Sequence, residues 1–447
     1  MSRAPLATAF RVLRGEGVLA VRDRALDRLA AARRRRSFRP AGEGWTAACP
    51  VLVISAYPPE PRFGGVQAQW HARLAAEEAL GPVARLYPDT ADAGGYRLEV
   101  ATGPGGERRA LRRPAPPLSA RAFRDPGFEG AVAWAAARVG ARLLHVEGAA
   151  GLPPESLLAL AQGGLGLLLS LHDFALFCSR PHLLEEPERR FCSYCRDLDR
   201  CAACLGEKPD FQRRWREAGG ALLAAAAAVV FPSAFLERAY ADLFGPLPAA
   251  IRVIPPALPT PGPLPAQPPA GPFRHLALVG GVQPHKGAEI FIDVVQRLAA
   301  GRPDLTWSAY GGGDPALLAR LRGAGRVRVR GYYRAGSLPA LLRRDRVDLA
   351  LLPSIVPESF SLVLSECRAA GVPVLAFDLG AVGERLRQGG GGLVVSLEEG
   401  AAGLAGLAAA VVSGERTVPI LENLERSQPG ETAARWRDLY REFLDIR

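Results

Sequence analysis

Short runs of apolar residues alternate with helical patterns along most of the chain. Continuous apolar runs are typical of strands that are buried on both faces of a sheet. Their alternation with helical segments predicts βαβ units, and therefore parallel sheets. The runs are VLVISA (51–56), LLHVE (143–147), LGLLLSLH (165–172), AVVFPS (228–233), IRVIP (251–255), HLALVGG (275–281), TWSAYGGG (306–313), RVRVRGYY (326–333), VDLALLPS (347–354), PVLAF (373–377) and GLVVS (392–396). We therefore expect an α/β protein with two doubly wound parallel-sheet domains.

A proline-rich segment separates the two groups of predicted strands. Residues 255–272, PPALPTPGPLPAQPPAGP, are half proline, so neither a buried strand nor a helix can persist there. We expect a basic helical extension at 1–44, an N-terminal Rossmann-like domain at 45–254, this linker, a C-terminal domain at 273–427 and a final amphipathic helix at 428–447.

The N-terminal extension repeats apolar residues at helical spacing between arginines over residues 5–36. This pattern predicts a pair of helices packed on the surface of the protein. A basic amphipathic segment that lies on an anionic membrane is the alternative interpretation.

Composition narrows the possible partners only in part. The chain has 48% hydrophobic residues and a formal net charge of +11, which favours anionic partners without choosing among nucleotides, nucleic acid and anionic lipid. No apolar run is long enough to cross a bilayer, and the N-terminal arginines are not followed by the apolar core and cleavage site of a secretory signal. We therefore expect a cytoplasmic protein.

Candidate ligand-binding residues follow the predicted strands, because ligands of parallel sheets bind beyond the carboxyl ends of the strands. In the N-terminal domain these residues are Gly64 and Gly65, at the start of a helix, and His172. A glycine pair lets backbone N–H groups approach an anion or a sugar closely. A tight turn and a structural histidine are the competing interpretations.

The C-terminal domain offers a second set of such residues. Gly280 and Gly281 turn the chain after a strand, Lys286 precedes a helix, and Gly311 ends the next strand in a glycine run. Glycine and lysine together are typical of phosphate binding, although the Walker A spacing is absent. Gly311 could fit against a base or a ribose, or could simply form a tight turn.

The stretch IVPESFSLVLSECRAAGVPVLAF (355–377) places two carboxylates around a helix start. Glu358 lies just before or at the helix start, and Ser359, Phe360 and Ser361 offer backbone N–H groups there. Glu366 falls inside the helix among apolar residues, where an acid is costly unless its carboxyl group is hydrogen-bonded. Ribose hydroxyl groups could supply these hydrogen bonds.

This stretch, together with GGVQPHKG and VDLALLPS, resembles the donor-binding half of the retaining glycosyltransferases of family 4, which have the GT-B fold. Their mark is Glu-x7-Glu followed by a helix and Gly-x-Pro-Val, which Glu358 and Glu366 match. The resemblance covers residues 275–396 and extends in part over 51–254. It implies two Rossmann-like domains that face each other across a cleft, with the final helix packing back on the first domain.

The resemblance also implies roles for individual residues. His172, Glu358 and Lys286 would be catalytic: His172 and Glu358 would contact the transferred sugar, and Lys286 would neutralise the diphosphate. The implied donor-binding residues are Gly64, Gly65, Gly280, Gly281, Lys286, Gly311, Ser359, Phe360, Ser361 and, toward the ribose, Glu366. One departure is Gly281, because family members often have arginine there.

The implied reaction moves a sugar from a nucleotide-diphosphate sugar to a saccharide or lipid-linked acceptor, with retention and without a catalytic metal, in bacterial cell-surface polysaccharide or glycolipid synthesis. Another GT-B activity, such as an epimerase or a phosphorylase, is an alternative within the enzymes. A nucleic-acid-binding zinc protein is an alternative from another class, against which the aromatic content of 7% argues. A non-catalytic sugar-nucleotide-binding scaffold is the third alternative.

Five of the seven cysteines lie in one segment, 178–204, which we interpret as an insertion in the N-terminal domain. Two Cys-x2-Cys pairs, Cys192 with Cys195 and Cys201 with Cys204, predict a tetrahedral zinc site of structural type. An iron–sulfur cluster and free thiols are the alternatives. Cys178 is a fifth candidate ligand, and a similar bacterial subset of the family favours Cys178, Cys192 or Cys195, Cys201 and Cys204.

Overall fold

The computed structural model describes residues 12, 15–42, 44–60, 64–89, 94–119, 121–247, 250–257, 271–324, 327–422 and 428–445. The chain divides into two compact units, which we call the N-terminal and the C-terminal unit. The N-terminal unit contains residues 30–187, 192–258 and 427–447, and the C-terminal unit contains residues 1–29, 188–191 and 259–426. Most of the predicted linker, residues 258–270, lies outside the described residues, as does much of the segment 5–17.

Helices and strands alternate as the apolar pattern predicts. The helices are α1 (Val18–Arg36), α2 (Gly65–Leu80), α3 (Pro126–Val139), α4 (Pro154–Gln162), α5 (Leu198–Leu205), α6 (Pro209–Ala225), α7 (Ala234–Phe244), α8 (Ala288–Ala299), α9 (Pro315–Gly323), α10 (Leu338–Arg344), α11 (Leu362–Ala370), α12 (Gly380–Gly389), α13 (Gly400–Ser413) and α14 (Pro429–Asp445). The strands are β1 (Arg39–Pro40), β2 (Val51–Ile54), β3 (Val83–Pro88), β4 (Tyr96–Ala101), β5 (Arg108–Arg113), β6 (Leu143–Glu147), β7 (Gly166–Ser170), β8 (Leu184–Glu185), β9 (Arg190–Phe191), β10 (Ala228–Phe231), β11 (Ala250–Val253), β12 (His275–Val279), β13 (Thr306–Tyr310), β14 (Val327–Gly331), β15 (Leu349–Leu352), β16 (Val374–Phe377) and β17 (Gly392–Val395).

The N-terminal unit is built on a nine-stranded sheet with the order β1-β5-β4-β3-β2-β6-β7-β10-β11. All five predicted strands of this unit are present, and they pair in parallel. Strand β4 runs antiparallel to β3 and β5, so the expectation of a purely parallel sheet is wrong at this edge. These strands were not predicted because their sequences mix charged with apolar residues. Arg85 and Glu99 are nevertheless fully buried there, since each forms ion pairs.

The C-terminal unit has a six-stranded, wholly parallel sheet with the order β14-β13-β12-β15-β16-β17. All six predicted strands are present, which confirms the α/β class of this unit. Its largest core side chains include Trp307 and Phe291, whose rings meet edge to face with centroids 5.9 Å apart. Helices α8 and α13 pack against each other over this core.

The C-terminal helix α14 belongs to the N-terminal unit, although the chain reaches it last. Trp436 stacks on His145 with ring centroids 4.5 Å apart, and the Tyr440 hydroxyl lies 2.7 Å from Nδ1 of the same histidine. The Arg73 guanidinium lies 5.1 Å from the Trp436 ring centroid. The helix therefore packs its aromatic side chains against α2 and β6.

The first half of helix α1 belongs to the C-terminal unit and is attached there by ion pairs. Asp23 accepts a hydrogen bond of 2.6 Å from Arg330, and both side chains are about 95% buried. Asp27 accepts from the Tyr332 hydroxyl at 2.6 Å and from Arg334 at 3.0 Å. The sequence predicts a helical pair over residues 5–36. Helix α1 is the second helix of this predicted pair. Residues 12, 15 and 16 are also helical and are separated from α1 by a break at Gly17, while residues 1–11, 13 and 14 lie outside the described part of the chain. Among the described residues, no helix combines the length and the apolar character that a membrane crossing needs.

We expect Asp23→Ala to release the first half of helix α1 from the C-terminal unit. The substitution leaves the buried Arg330 guanidinium without its carboxylate, which costs about 3–5 kcal/mol for a buried pair. Amide hydrogen exchange across residues 18–29 should become faster, and the urea midpoint should fall. Asp293→Ala is the matched control, because Asp293 pairs with Arg297 on an exposed surface at 3.4 Å and such pairs contribute about 0–1 kcal/mol. Equal exchange in both variants would contradict this attachment.

Candidate functional site

Three glycines lie at the carboxyl ends of neighbouring strands in the C-terminal unit. Gly280, Gly311 and Gly331 follow or end β12, β13 and β14, and each has a positive φ. The Gly280 N–H donates to the Tyr310 carbonyl at 2.9 Å, and the Gly311 N–H donates to the Gly331 carbonyl at 3.0 Å. A Cβ atom at position 311 would overlap the Gly280 carbonyl oxygen. Glycine is therefore required at position 311, where the ends of β12 and β13 approach each other closely.

Gly281, where the sequence departs from the family pattern, is under no such constraint. Its φ is not in the left-handed region, and a Cβ atom would meet only the Gln283 side chain, at 3.8 Å. The backbone therefore leaves room for a side chain at this position, and the missing arginine is not imposed by local packing.

Lys286 and Glu358, two of the predicted catalytic residues, lie in direct contact. The Lys286 Nζ is 3.1 Å from Glu358 Oε1, and both side chains are partly exposed. Lys286 ends a 3-10 turn, Pro284–Lys286, and Gly287 follows with a φ of 71°. A side chain at Gly287 would overlap the Pro353 carbonyl, so glycine lets the two loops meet. The Ile355 N–H donates to the His285 carbonyl at 3.1 Å, which ties the loops together.

The loop from Glu358 to Ser361 is fixed by Arg385 of α12. The Arg385 guanidinium donates to the carbonyl oxygens of Phe360 at 2.6 Å and Ser361 at 3.0 Å, and its carbon lies 4.1 Å from the Phe360 ring centroid. Ser361 adopts a φ of 70°, unusual for a residue with a side chain, and its hydroxyl accepts from the Leu364 N–H at 3.4 Å. Arg385 carries no signal in the sequence, because it is one arginine in a polar helix.

Glu366 is buried in helix α11, as the sequence predicts, but its surroundings come from the loop after β14. Burial raises the pKa of Glu366 to about 7, although a hydrogen bond from the Gly336 backbone opposes that rise. Tyr333, which is partly buried, interacts with this carboxyl group, and burial raises the tyrosine pKa. The carboxyl group of Glu366 is therefore partly protonated near neutral pH.

His172 lies at the carboxyl end of β7 in the N-terminal unit and is held by three side chains. Its Nε2 is 3.2 Å from Glu147 Oε1 and 2.9 Å from the Ser170 hydroxyl, and its Nδ1 is 2.9 Å from Gln69 Nε2. These contacts agree with a ring whose Nε2–H donates to Glu147 and whose Nδ1 accepts from Gln69. A Cβ atom on Gly148 would contact both the Val66 and the His172 side chains. The structure thus brings the turn at Gly64 and Gly65, which precedes Val66, close to His172.

Glu147, the partner of His172, is a fully buried carboxylate. Burial opposes its charge, but Arg73 outweighs this effect, so the pKa of Glu147 lies well below its usual value. Arg73 Nη1 lies 3.3 Å from Glu147 Oε1, and Arg73 Nε donates to Glu77 at 2.6 Å. Burial also lowers the pKa of His145 to about 3, so that ring stays neutral. Glu147 is not recognisable as a site residue in the sequence, where it is the last residue of an apolar strand.

The five clustered cysteines line one cavity of about 20 Å³, which has room for roughly one water-sized species. The sulfur atoms of Cys178 and Cys204 accept backbone N–H groups at 3.4 Å, and that of Cys201 accepts from Arg216 at 3.3 Å. All five thiols are free. Within the described residues, no group of three or more His, Cys, Asp or Glu side chains is arranged to hold a metal ion. Cys192 and Cys195 complete the lining.

Part of the C-terminal unit matches a known protein family. Residues 274–413 match the family model described as Glycosyl transferases group 1. The chain is 34% identical over 132 residues to D-inositol 3-phosphate glycosyltransferase of Jonesia denitrificans, across 27% of this chain and 30% of that protein. It is 32% identical over 213 residues to glycogen synthase of Mycobacterium tuberculosis, across 46% of this chain and 48% of that protein. The chain thus spans less than half the length of these curated relatives.

The fold has a counterpart among solved structures. Sucrose-phosphate synthase from Thermosynechococcus elongatus superposes with a TM-score of 0.60 and 18% identity, over 89% of this chain and all of that one. At this identity the likeness shows a shared fold. The match supports the expectation of a glycosyltransferase fold with parallel sheets.

We expect the free energy of unfolding of the C-terminal unit to fall between pH 4.5 and pH 7 through Glu366. The folded pKa is about 7 against an ordinary value of 4.5, so the folded state holds the proton more tightly. The stabilisation is full below pH 4.5 and is lost as the pH rises through 7, on the order of 3 kcal/mol in total. Urea titrations at several pH values should show this fall, and Glu366→Gln should flatten it. Glu415→Gln, at an exposed position of the same unit, should leave it unchanged. An identical pH slope in wild type and Glu366→Gln would contradict the assignment.

Proposed function

We propose that the protein is a retaining glycosyltransferase. It moves a sugar from a nucleotide-diphosphate sugar to a saccharide or lipid-linked acceptor, in bacterial cell-surface polysaccharide or glycolipid synthesis. The observation that carries this proposal is the contact of 3.1 Å between Lys286 and Glu358, inside the segment 274–413 that matches the glycosyltransferase family model. A cation and a carboxylate held together at a strand end can bind the two parts of such a donor.

Lys286 is proposed to stabilise the departing nucleoside diphosphate. Charge develops on the diphosphate oxygens as the sugar leaves, and a fixed cation stabilises that charge in the transition state. In the structure the ammonium group is neutralised by Glu358, so a bound diphosphate would compete with this carboxylate for it. Backbone N–H groups of Ser359, Phe360 and Ser361, braced by Arg385, would add to the stabilisation. This division of labour requires no catalytic metal.

Two carboxyl groups are proposed to hold the rest of the donor. Glu358 would accept hydrogen bonds from the hydroxyl groups of the transferred sugar, and Glu366 would bind the ribose. With a pKa of about 7, Glu366 can act as acceptor or donor toward ribose hydroxyls. Gly280 and Gly311 would allow close approach of the nucleotide, and Gly281 would leave one phosphate cation fewer than is usual. If Gly281 abolishes transfer, the protein is a non-catalytic donor-binding scaffold.

His172 is proposed to hydrogen-bond the sugar near the reacting carbon. The ionised Glu147 fixes the ring, because Glu147 Oε1 lies 3.2 Å from His172 Nε2. Gly64 and Gly65 would shape the acceptor and phosphate side of the donor's surroundings. The configuration at the reacting sugar carbon would be retained if the acceptor attacks this carbon from the same face that the diphosphate leaves. An oxygen of the leaving diphosphate would take the proton of the acceptor hydroxyl group.

The location of the protein and its contact with lipid belong to the same proposal. A lipid-linked acceptor places the reaction at a membrane surface, and we propose a cytoplasmic protein that binds this surface peripherally through the N-terminal segment 5–36. The apolar and basic residues of that segment support this assignment.

The cysteine cavity is proposed to hold a structural zinc ion. Five thiols line a space for about one ion, and N–H groups donate to three of the sulfur atoms, as around metal-bound thiolates. Since no three side chains stand in a metal-holding arrangement in the described residues, binding would require side-chain rotations. Cys178, Cys201 and Cys204 with Cys192 or Cys195 would supply four ligands, and an iron–sulfur cluster is the alternative occupant.

The donor site is tested by thermal-shift and transfer assays with UDP, GDP, ADP and dTDP sugars. One nucleotide should raise the melting temperature selectively. Lys286→Gln should weaken its binding by about tenfold to a hundredfold, because a hydrogen bond to a charged group contributes about 1.5–3 kcal/mol. Glu358→Gln should lower transfer at least about a hundredfold and leave the protein folded. Lys208→Gln, at an exposed position of the N-terminal unit, is the control. No shift with any nucleotide from folded protein would refute the proposed function.

The metal proposal is tested by elemental analysis and by metal removal. We expect about one zinc per chain, and a lower melting temperature after treatment with a strong chelator. Cys201→Ser/Cys204→Ser should lose the zinc, whereas Cys367→Ser, which removes a buried cysteine of the C-terminal unit, should keep it. Visible absorbance from iron would instead identify the cluster. Metal-free protein with an unchanged melting temperature would refute both.

A further inference from the structure

Helix α1 turns its acidic side chains toward the C-terminal unit. Asp23 and Asp27 bind side chains of the C-terminal unit, and Glu16, just before the helix, accepts from the Tyr332 N–H at 2.9 Å. Gly331 permits this approach, because a side chain there would collide with Glu16. All the acidic residues between positions 12 and 36 are therefore used in attaching the helix.

The outward face of helix α1 is apolar and basic. Val18 is 70% exposed, Leu29 is 56% exposed, and Leu26 and Leu19 are 39% and 37% exposed. These four make up half of the eight large apolar side chains that are exposed in the described part of the chain. Scattered exposed apolar residues are ordinary, but four on one helix mark an interaction surface.

Arginines accompany these apolar residues on the same face. At 100° per residue, the following side chains fall within about 80° of the helix circumference: Val18, Arg22, Leu26, Leu29, Arg33 and Arg36, all exposed. We call this set the outer face of α1. It contains no acidic residue. Arg22 donates to the neighbouring Asp23 at 2.9 Å, so the positive charge that the face offers to a ligand comes from Arg33 and Arg36.

We propose that the outer face of α1 binds a membrane surface that contains anionic lipid. Leucine and valine would enter the boundary between headgroups and acyl chains, and the arginines would meet lipid phosphates. This inference deepens the membrane part of the proposed function, but it concerns binding alone and does not depend on sugar transfer. It gives the C-terminal unit a fixed attachment to the surface on which a lipid-linked acceptor would lie.

Charge favours a bilayer over other occupants of this face. In a symmetric dimer the same patch meets itself, so the arginines of two copies would repel each other. Nucleic acid would satisfy the arginines but would leave the leucines without apolar partners, and the face has no aromatic residue for stacking on bases. An anionic lipid surface matches both the apolar and the basic residues.

Co-sedimentation of the full-length protein with vesicles tests this proposal. We expect binding to vesicles of phosphatidylcholine and phosphatidylglycerol in equal amounts, little binding to phosphatidylcholine alone, and weakening by salt. Arg33→Gln and Arg36→Gln should each weaken binding about fivefold. Leu26→Gln and Leu29→Gln should each weaken it about tenfold or more.

Matched control variants come from the β17 edge of the C-terminal sheet, opposite the β14 edge that α1 contacts. Ile420 is 66% exposed and Arg416 is also exposed, both after α13 in the C-terminal unit. Ile420→Gln and Arg416→Gln should bind vesicles like wild type. Melting temperature and the nucleotide-induced shift establish that each variant is folded. Vesicle binding is measured without nucleotide. The two assays therefore distinguish a failure of the proposed donor site from a failure of the proposed membrane-binding face.

Three results would overturn the proposal. The first is equal binding to neutral and anionic vesicles, or none to either. The second is wild-type binding by the outer-face variants, which would place the membrane contact elsewhere. The third is a wild-type dimer that Leu26→Gln dissociates, which would make the outer face a contact between copies.

Discussion

Close approach of main chain at glycine is the constraint on which the proposed donor site depends. Gly311 lies against the Gly280 carbonyl, and Gly287 lies against the Pro353 carbonyl, at distances that exclude any side chain. The second contact brings the loop of Lys286 to the loop of Glu358, and their 3.1 Å contact follows from it. In the C-terminal unit, the positions of the proposed donor-binding side chains thus depend on glycine residues.

In the N-terminal unit, the candidate residue His172 is held in position by buried charged side chains. Glu147, Arg73, Glu77 and Arg85 form a linked set of ion pairs inside the protein. Such a set is costly to bury and becomes stable only when every member has its partner, which restricts each side chain to one position. His172 hydrogen-bonds to this set and to Ser170 and Gln69, so its ring is held before any ligand arrives.

Sequence patterns predicted eleven strands, because apolar runs report burial on both faces of a sheet. They did not predict β3 to β5, where burial is achieved by ion pairs such as Arg34 with Glu99, which a sequence does not display. The residues of the candidate site show the same contrast between those that a sequence pattern can predict and those that it cannot. Lys286 and Glu358 belong to a recognisable motif, whereas Glu147 and Arg385 act through partners 74 and 24–25 positions away. Contacts over such separations depend on the tertiary fold and leave no local signal.

The pairing of Asp23 with Arg330 has a consequence for how the chain is made. The two residues are 307 positions apart, and at synthesis rates of about 5–20 residues per second this distance takes about 15–60 s to translate. During that interval the acidic side of α1 has no partner from the C-terminal unit. The leucines and arginines on its other side have already been synthesised. The outer face of α1 is therefore synthesised before the side chains that hold the acidic side of the helix. If that face binds lipid as proposed, the nascent chain reaches the membrane before its C-terminal half has folded.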